Sequence, residues 1–379
     1  MDKKSLIALS VLGSLTAISA QAANKVADAR GNAMGNTGVA SADYLTAPFY
    51  NPALAANYRD HDDFGVFIGI DVSASDKDDA ISELDDLQDN IDDLNDSGST
   101  DTTEIDANLA ELDGSKPVQV SAGTGIAVAL PTELVSSNLF IRGYAEIIAQ
   151  TDVAVENGNY NYQTSDVDFV AFGYIEAGLA LAQYYTIADQ QFSFGITPKY
   201  QQMRTYAQIA TVEDFEVDDY DESETSKSAF NFDLGAVWYL DNFRTAIAVK
   251  DLIAQEIDVV DTSGEINGSY HLDTQVTLGV AYSSDYFVAA IDADLTTQKR
   301  FEGIGTDDDT QFVRFGVEGN AWGWAQLRAG YEIDLEETLD NSITAGIGFS
   351  PFDLVSLDIA GSYAGENQAG VSANLALTF

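Results

Sequence analysis

The chain has 379 residues, no cysteine and a net charge of −45, from 62 acidic against 17 basic side chains. So acidic a chain lacks the basic face that nucleic acid requires, and without cysteine it has neither disulfide exchange nor thiolate metal sites. No stretch beyond the N-terminus approaches eighteen uninterrupted apolar residues, so no spanning helix is expected, and a closed β-barrel is the membrane-crossing architecture that remains.

The first residues read as an export signal: Lys3 and Lys4, an apolar core from Leu6 to Ile18, then the small residues Ala20-Gln21-Ala22. Residues 1–22 are therefore set apart from the fold as a cleaved signal peptide. Residues 23–63 do not alternate like a strand. They contain Ala29-Arg30-Gly31-Asn32-Ala33-Met34-Gly35-Asn36-Thr37-Gly38-Val39-Ala40 and then Ala47-Pro48-Phe49-Tyr50-Asn51-Pro52-Ala53. Gly31, Gly35 and Gly38 permit tight turns. Pro52 holds Asn51 extended, and the Asn side chain can bond a local backbone group. The segment reads either as an ordinary glycine-rich loop or, given its place before the first strand, as a plug inside a barrel.

From residue 64 onward apolar residues recur at every second position, as in Val371, Ala373, Leu375, Leu377 and Phe379 against Ser372, Asn374 and Thr378. One face suits lipid and the other a polar lumen. Counting such runs predicts fourteen strands at 64–75, 117–130, 137–155, 166–186, 190–212, 228–240, 243–257, 270–283, 286–301, 310–320, 323–335, 341–350, 353–364 and 368–379. The joins alternate between short ones, such as Asp241-Asn242 and Ser284-Asp285, and mostly longer, acidic ones, such as 76–116, 213–227 and 258–269. An even strand number with two kinds of loop places both termini on the short-turn, periplasmic side. Aromatics gather at those short turns: Tyr184, Tyr185, Trp238, Tyr239, Phe243, Tyr282, Tyr286, Trp322, Trp324, Phe349, Phe352 and Phe379. Rings at headgroup depth form the girdle of a membrane barrel.

One segment changes period. Ile81, Leu84, Leu87, Ile91 and Leu94, then Ile105, Leu109 and Leu112, follow three-to-four spacing on either side of Ser97-Gly98-Ser99. This predicts a helical hairpin at 78–95 and 103–113, inserted at 76–116 in the first outer loop. Its remaining faces are acidic, with Asp85, Asp86, Asp89, Asp92 and Asp93, which suits either a solvated surface or a partner-docking element.

The glycine-rich run followed by Asn51-Pro52-Ala53 resembles the N-terminal region of the FadL-like outer-membrane proteins. That resemblance implies a fourteen-stranded barrel with the N-terminal segment folded inside as a hatch. Within that superfamily the chain looks like the barrel family named for conjugal transfer protein TraF. The shared features are the N-terminal motif, the acidic helical segment, and the order Trp324-Ala325-Gln326-Leu327-Arg328-Ala329-Gly330-Tyr331 then Ala345-Gly346-Ile347-Gly348-Phe349. The same name belongs to a thioredoxin-like periplasmic protein, which a chain without cysteine does not resemble.

The expected architecture is thus all-β: a fourteen-stranded antiparallel transmembrane barrel over 64–379, a lumenal hatch over 23–63 and an α-helical hairpin in the first outer loop. The hatch motif is Gly31, Met34, Gly35, Gly38, Asn51, Pro52 and Ala53. Asp292, Asp294, Arg314, Glu318, Arg328 and Asp358 are inward-facing by strand parity, and their opposite charges on neighbouring strands predict a packed ion-pair network, not an open pore. Phe379 resembles the terminal aromatic of a barrel-assembly signal. Catalysis is not expected. The two histidines, His61 among aspartates and His271 after Ser269-Tyr270, mark neither a nucleophile nor a metal site. Asp307-Asp308-Asp309 and the run from Glu213 to Glu224 could hold a hard cation, but such runs are more often hydrated loops. No cofactor is expected. Expected partners are outer-membrane lipids and lipopolysaccharide, the barrel-assembly machinery and a hydrophobic ligand, with no nucleic acid. The leading function is passive transport of a hydrophobic small molecule across the outer membrane. The competing one is a structural or interaction role beside a conjugation or secretion apparatus.

Overall fold

The structure, a computed structural model, describes residues 26–379 except 60–61, 214–222, 262–263, 265, 305–307, 322, 352–353 and 366. The signal segment at 1–22, His61, Asp307, Trp322, Phe352 and most of the run from Glu213 to Glu224 lie outside the described residues.

Fourteen antiparallel strands close into one barrel. They are β1 (Gly65–Ser75), β2 (Val118–Leu130), β3 (Ser136–Asp152), β4 (Asp166–Ile187), β5 (Gln190–Thr211), β6 (Thr225–Leu240) and β7 (Phe243–Lys250). The second half is β8 (Gln275–Ser283), β9 (Phe287–Asp294), β10 (Phe312–Ala321), β11 (Ala325–Asp334), β12 (Ser342–Phe349), β13 (Val355–Gly365) and β14 (Gln368–Thr378). Each strand pairs with its sequence neighbours. The ring closes between β1 and β14, from Gly65 opposite Thr378 to Ser75 opposite Gln368. Closure leaves no unpaired edge, which a bilayer core demands.

Alternation sets the two surfaces. Ile68, Ile70, Leu139, Ile141, Ile175, Ile343, Ile347 and Leu375 point outward and are exposed, while Asp71, Asn138, Arg142, Glu176, Lys199, Asp233 and Asp358 point inward and are buried. A soluble protein would reverse that arrangement; a lipid-facing barrel produces it. At the short turns, Trp324 packs edge-on against Phe349 and Phe243 against Tyr282, at centroid separations of 5.4 and 5.1 Å. The β4–β5 turn is two residues long, Ala188-Asp189, both with positive φ. That backbone matches the right-handed twist of the strands it joins.

The wall is uneven. β4 and β5 run for 22 residues each, whereas β7, β8, β9 and β12 have 8 or 9. About ten residues suffice to cross a bilayer, so the long strands project beyond it. Helices α3 (Ala80–Ser97) and α4 (Thr103–Leu112) pack on this projection, burying Leu87, Ile91, Ile105, Leu109 and Leu112 with Val167 and Val212. Asp76 caps the first of them, accepting from the amides of Ala80 and Ile81 at 2.7 and 3.1 Å. Gly98 ends it in the left-handed region, and the acidic positions face solvent.

Three predicted strands are too long. Those at 243–257, 270–283 and 286–301 leave the barrel at Lys250, before Gln275 and at Asp294. Their outer portions form a separate three-stranded sheet, Gln255–Val260, Ile266–Leu272 and Phe301–Glu302 in that order. Alternation cannot reveal the break, because both pieces alternate. Its cause is local. Asp251 takes a positive φ of 52° and its carboxylate accepts from Gln201 Nε2 at 2.8 Å inside the lumen, which turns the chain inward.

Candidate functional site

Residues 26–58 fold inside the barrel as two short helices, α1 (Ala29–Ala33) and α2 (Ala47–Tyr50), and a 3-10 turn, Pro52–Ala56. Asp28 caps α1 by accepting from the amides of Arg30 and Gly31. So short a helix has little stability of its own, and its position comes from the wall. Ala29 N donates to Asn374 Oδ1 at 2.8 Å, Gly35 N to Thr344 Oγ1 at 2.9 Å, and Gly38 N and Val39 N to Asp292 Oδ2 at 2.7 and 2.9 Å. From the opposite wall Asn138 Nδ2 donates to the carbonyls of Tyr44 and Leu45. Inward polar residues on the strands thus satisfy a non-repetitive backbone that would otherwise be buried unpaired.

The motif residues cluster where backbones come closest. Met34 and Ala53 are fully buried, and Gly31 and Gly38 lie against the Tyr50 ring. Gly35 has φ +64°, a left-handed turn beside the β11 backbone. Asn51 Oδ1 accepts from Ala53 N at 3.0 Å, and its Nδ2 donates to the carbonyls of Val39 and Ile247. The Asn51-Pro52-Ala53 turn meets β6 at Gly235, where a Cβ would collide with Asn51 Oδ1.

The lumen charges predicted from parity form two groups. Arg30 pairs with Glu318 at 2.9 Å, Glu318 with Arg328 at 2.6 Å, and Arg328 with Asp358 at 2.5 Å, so one chain of charges joins the N-terminal segment to β10, β11 and β13. Arg314 bridges Asp294 and Glu332, at 2.9 Å each. Asp292 stands opposite Arg314 in the ladder but spends one oxygen on the amides of Gly38 and Val39 instead. Sequence reasoning missed a further cluster on the long wall. Lys199 lies 3.3, 2.9 and 2.8 Å from Glu176, Asp233 and Asp251, and Arg142 pairs with Glu176 at 3.0 Å. It also missed Arg30 and Lys250, whose ammonium donates to the Phe49 carbonyl at 2.9 Å. The available signal was a lone charge inside an apolar run, as at Arg142 between Ile141 and Gly143.

A cavity of about 60 Å³ lies between Val26, Val39 and Phe49 of the N-terminal segment and Lys250, Phe312 and Arg314 of the wall. Phe379 sits at the β1–β14 seam, where its amide donates to the Phe64 carbonyl at 2.8 Å. Ser269 Oγ and His271 Nε2 come within 2.9 Å, but Glu302 approaches the same nitrogen, at 4.0 Å. A serine relay needs its carboxylate on the other ring nitrogen. Asp308 is engaged by Arg300 and Phe301 N, Glu213 by Asn95, and Glu224 by Arg204.

A closed fourteen-stranded barrel, apolar outside and largely polar inside, with residues 26–58 packed within it, defines a transmembrane β-barrel. The family model described as "F plasmid transfer operon, TraF, protein" matches residues 48–294, and the chain belongs to that family. Among solved structures the fold is similar to the Ralstonia pickettii toluene transporter TbuX, at 13% identity and a TM-score of 0.58, covering 92% of this chain and 97% of that one. It is also similar to the CymD monoaromatic hydrocarbon channel, at 10% identity and a TM-score of 0.53, covering 96% and 98%. No curated protein matches the chain.

Proposed function

We propose that this protein is an outer-membrane barrel that admits a hydrophobic small molecule passively, with residues 26–58 as its hatch. The observation that carries the reading is the seating of that segment. It is held to the wall by hydrogen bonds, an ion pair and apolar packing, next to a cavity lined in part by Val26, Val39 and Phe49. The fold shared with hydrocarbon channels supports the choice of a hydrophobic cargo. The test is uptake of a panel of hydrophobic compounds by a null strain complemented with variants. Changes at Asn51-Pro52-Ala53 should alter uptake, and deletion of 77–115 should leave it measurable. Uptake unchanged in the null strain for every compound would sink the reading.

A second reading, an interaction role beside a conjugation or secretion apparatus, draws on the outward acidic face of α3 and on the family's description. It expects the reverse pattern: loss of function on deleting 77–115 and indifference to the Asn-Pro-Ala turn.

A further inference from the structure

Inward apolar side chains of the wall form one large cluster under the N-terminal segment and a second bay away from it. On the outer halves of β3, β4 and β5, Tyr144, Ile148, Val170, Phe172, Tyr174 and Met203 form one buried face. The N-terminal segment does not cover it. The outer sheet does, with Ile257, Val259, Tyr270, Leu272 and Phe301. Tyr270 lies flat on Phe172, centroids 3.5 Å apart and planes 8° from parallel, and Phe301 meets Tyr270 edge-on at 4.9 Å. A flat ring between a stacked and an edge-on neighbour is the geometry in which aromatic side chains hold a planar guest.

The sheet reaches this bay by leaving the barrel ladder after β7, before β8 and after β9, and the cavity lies at the foot of those stems, lined by Lys250, Gln275 and Gln298. A buried arginine fastens it. Arg300 Nη1 pairs with Glu146 of β3 at 2.6 Å, while its Nε donates to the Asp308 carbonyl at 3.0 Å and its Nη2 to the same oxygen. Tyr270 Oη donates to the other Glu146 oxygen at 2.9 Å. The wall carboxylate and the aromatic stack therefore engage and release together.

We propose that the aromatic bay on β3–β5 binds a planar apolar small molecule, and that the outer sheet is its lid, holding Tyr270 and Phe301 in the guest's place and latched by Arg300 to Glu146. The assignment deepens the transport reading and rests on it for its purpose, but binding can be measured apart from uptake.

The chain has no cysteine, so an engineered pair supplies its only thiols. Lys227 of β6 already reaches the Glu256 carbonyl of the sheet at 2.6 Å, and both side chains are exposed. K227C/E256C joined by a short bismaleimide pins the lid without touching the bay. Saturable binding of radiolabelled naphthalene to the full-length barrel is the readout. Pinning should weaken it at least about tenfold, and Arg300→Met should strengthen it by a similar factor, about 1.4 kcal/mol. Phe172→Ala should abolish the gain. Binding indifferent to the cross-link overturns the proposal, as does an Arg300→Met barrel that keeps heat-modifiable migration and binds no more tightly. Should Arg300→Met fail to fold, the cross-link decides, since it alters only exposed side chains. Lid-dependent binding without naphthalene uptake by cells would sink the transport reading and leave the lid. Uptake with lid-independent binding would sink the lid alone.

Discussion

The lumen is filled by two segments that both bury apolar side chains against the wall but differ in their polar ties. The N-terminal segment is tied at many points, none dominant: Ala29, Gly35, Gly38 and Val39 donate amides to side chains of three strands, and Arg30 joins a run of charges. The outer sheet packs on the wall mainly through apolar side chains, and a buried arginine fixes it. The difference is one of cooperativity. Dispersed hydrogen bonds of about 1 kcal/mol each fail singly, so the polar ties of the first segment are lost by degrees. An apolar patch that separates as one piece, with a buried ion pair inside it, gives two states.

The sharpest way to break this comparison is to give the N-terminal segment a single point of failure. Glu318→Leu leaves Arg30 buried without its carboxylate partner, while Arg328 keeps Asp358. Uncompensated buried charge costs about 3–5 kcal/mol. Urea unfolding of the refolded barrel should show that loss, and limited proteolysis should cut within 26–58 while the outer sheet stays protected. Equal exposure of both segments would mean that they are one cooperative unit.

Next is pH, acting on the sheet through Asp308. Burial pushes this carboxyl up to about 6, against the pull of Arg300. A folded value above the ordinary 3.8 means that the seated sheet binds the proton more tightly than an open one. The contribution is complete below about pH 4 and lost as pH rises through 6, on the order of 2–3 kcal/mol. Hydrogen exchange corrected for intrinsic rate should find residues 266–272 better protected at pH 5 than at pH 7. Asp308→Asn keeps an acceptor for Phe301 N and should flatten the profile. A profile rising with pH would contradict the sign.

How much of this was legible in the sequence follows from what each feature requires. A strand crossing lipid must alternate, so fourteen runs such as 368–379 reveal the barrel, and a shift to three-to-four spacing at Ile81, Leu84 and Leu87 reveals the hairpin. The outer sheet was not legible. It alternates like the barrel, and what separates them is one backbone angle at Asp251 and the pairing of its carboxylate with Lys199, two strands away. Inward parity identified Glu318, Arg328 and Asp358, yet not that Asp292 would serve two backbone amides. That choice depends on where a non-repetitive segment puts its N–H groups, which no periodicity encodes. The same blindness hid Glu146, which reads as one polar residue in a strand until Arg300 reaches it across 154 positions of chain.

A smaller effect separates the motif from the network. Asn51→Ala removes the acceptor for Ala53 N and two donated hydrogen bonds, a loss of about 1–3 kcal/mol. Because neighbouring ties persist, protease sensitivity should rise around 47–56 and not at 28–38. Cleavage spreading evenly over both stretches would show the turn to be the keystone of the segment, and the contrast between dispersed and concentrated fastening would then fail.

The smallest effect belongs to the hairpin, which lies outside the lumen and serves as the control. Asp86 and Asp89 are exposed on α3 at a spacing that brings like charges together. Neutralising both to Asn removes a repulsion of a few tenths of a kcal/mol, within the range of ordinary surface changes. Neither the protection of 266–272 nor the protease pattern of 26–58 should move. If either does, the hairpin is coupled to the lumen through Val167 and Val212, the β4 and outer-loop residues on which it packs. The two fillings would then answer to a third element on the outer surface of the barrel.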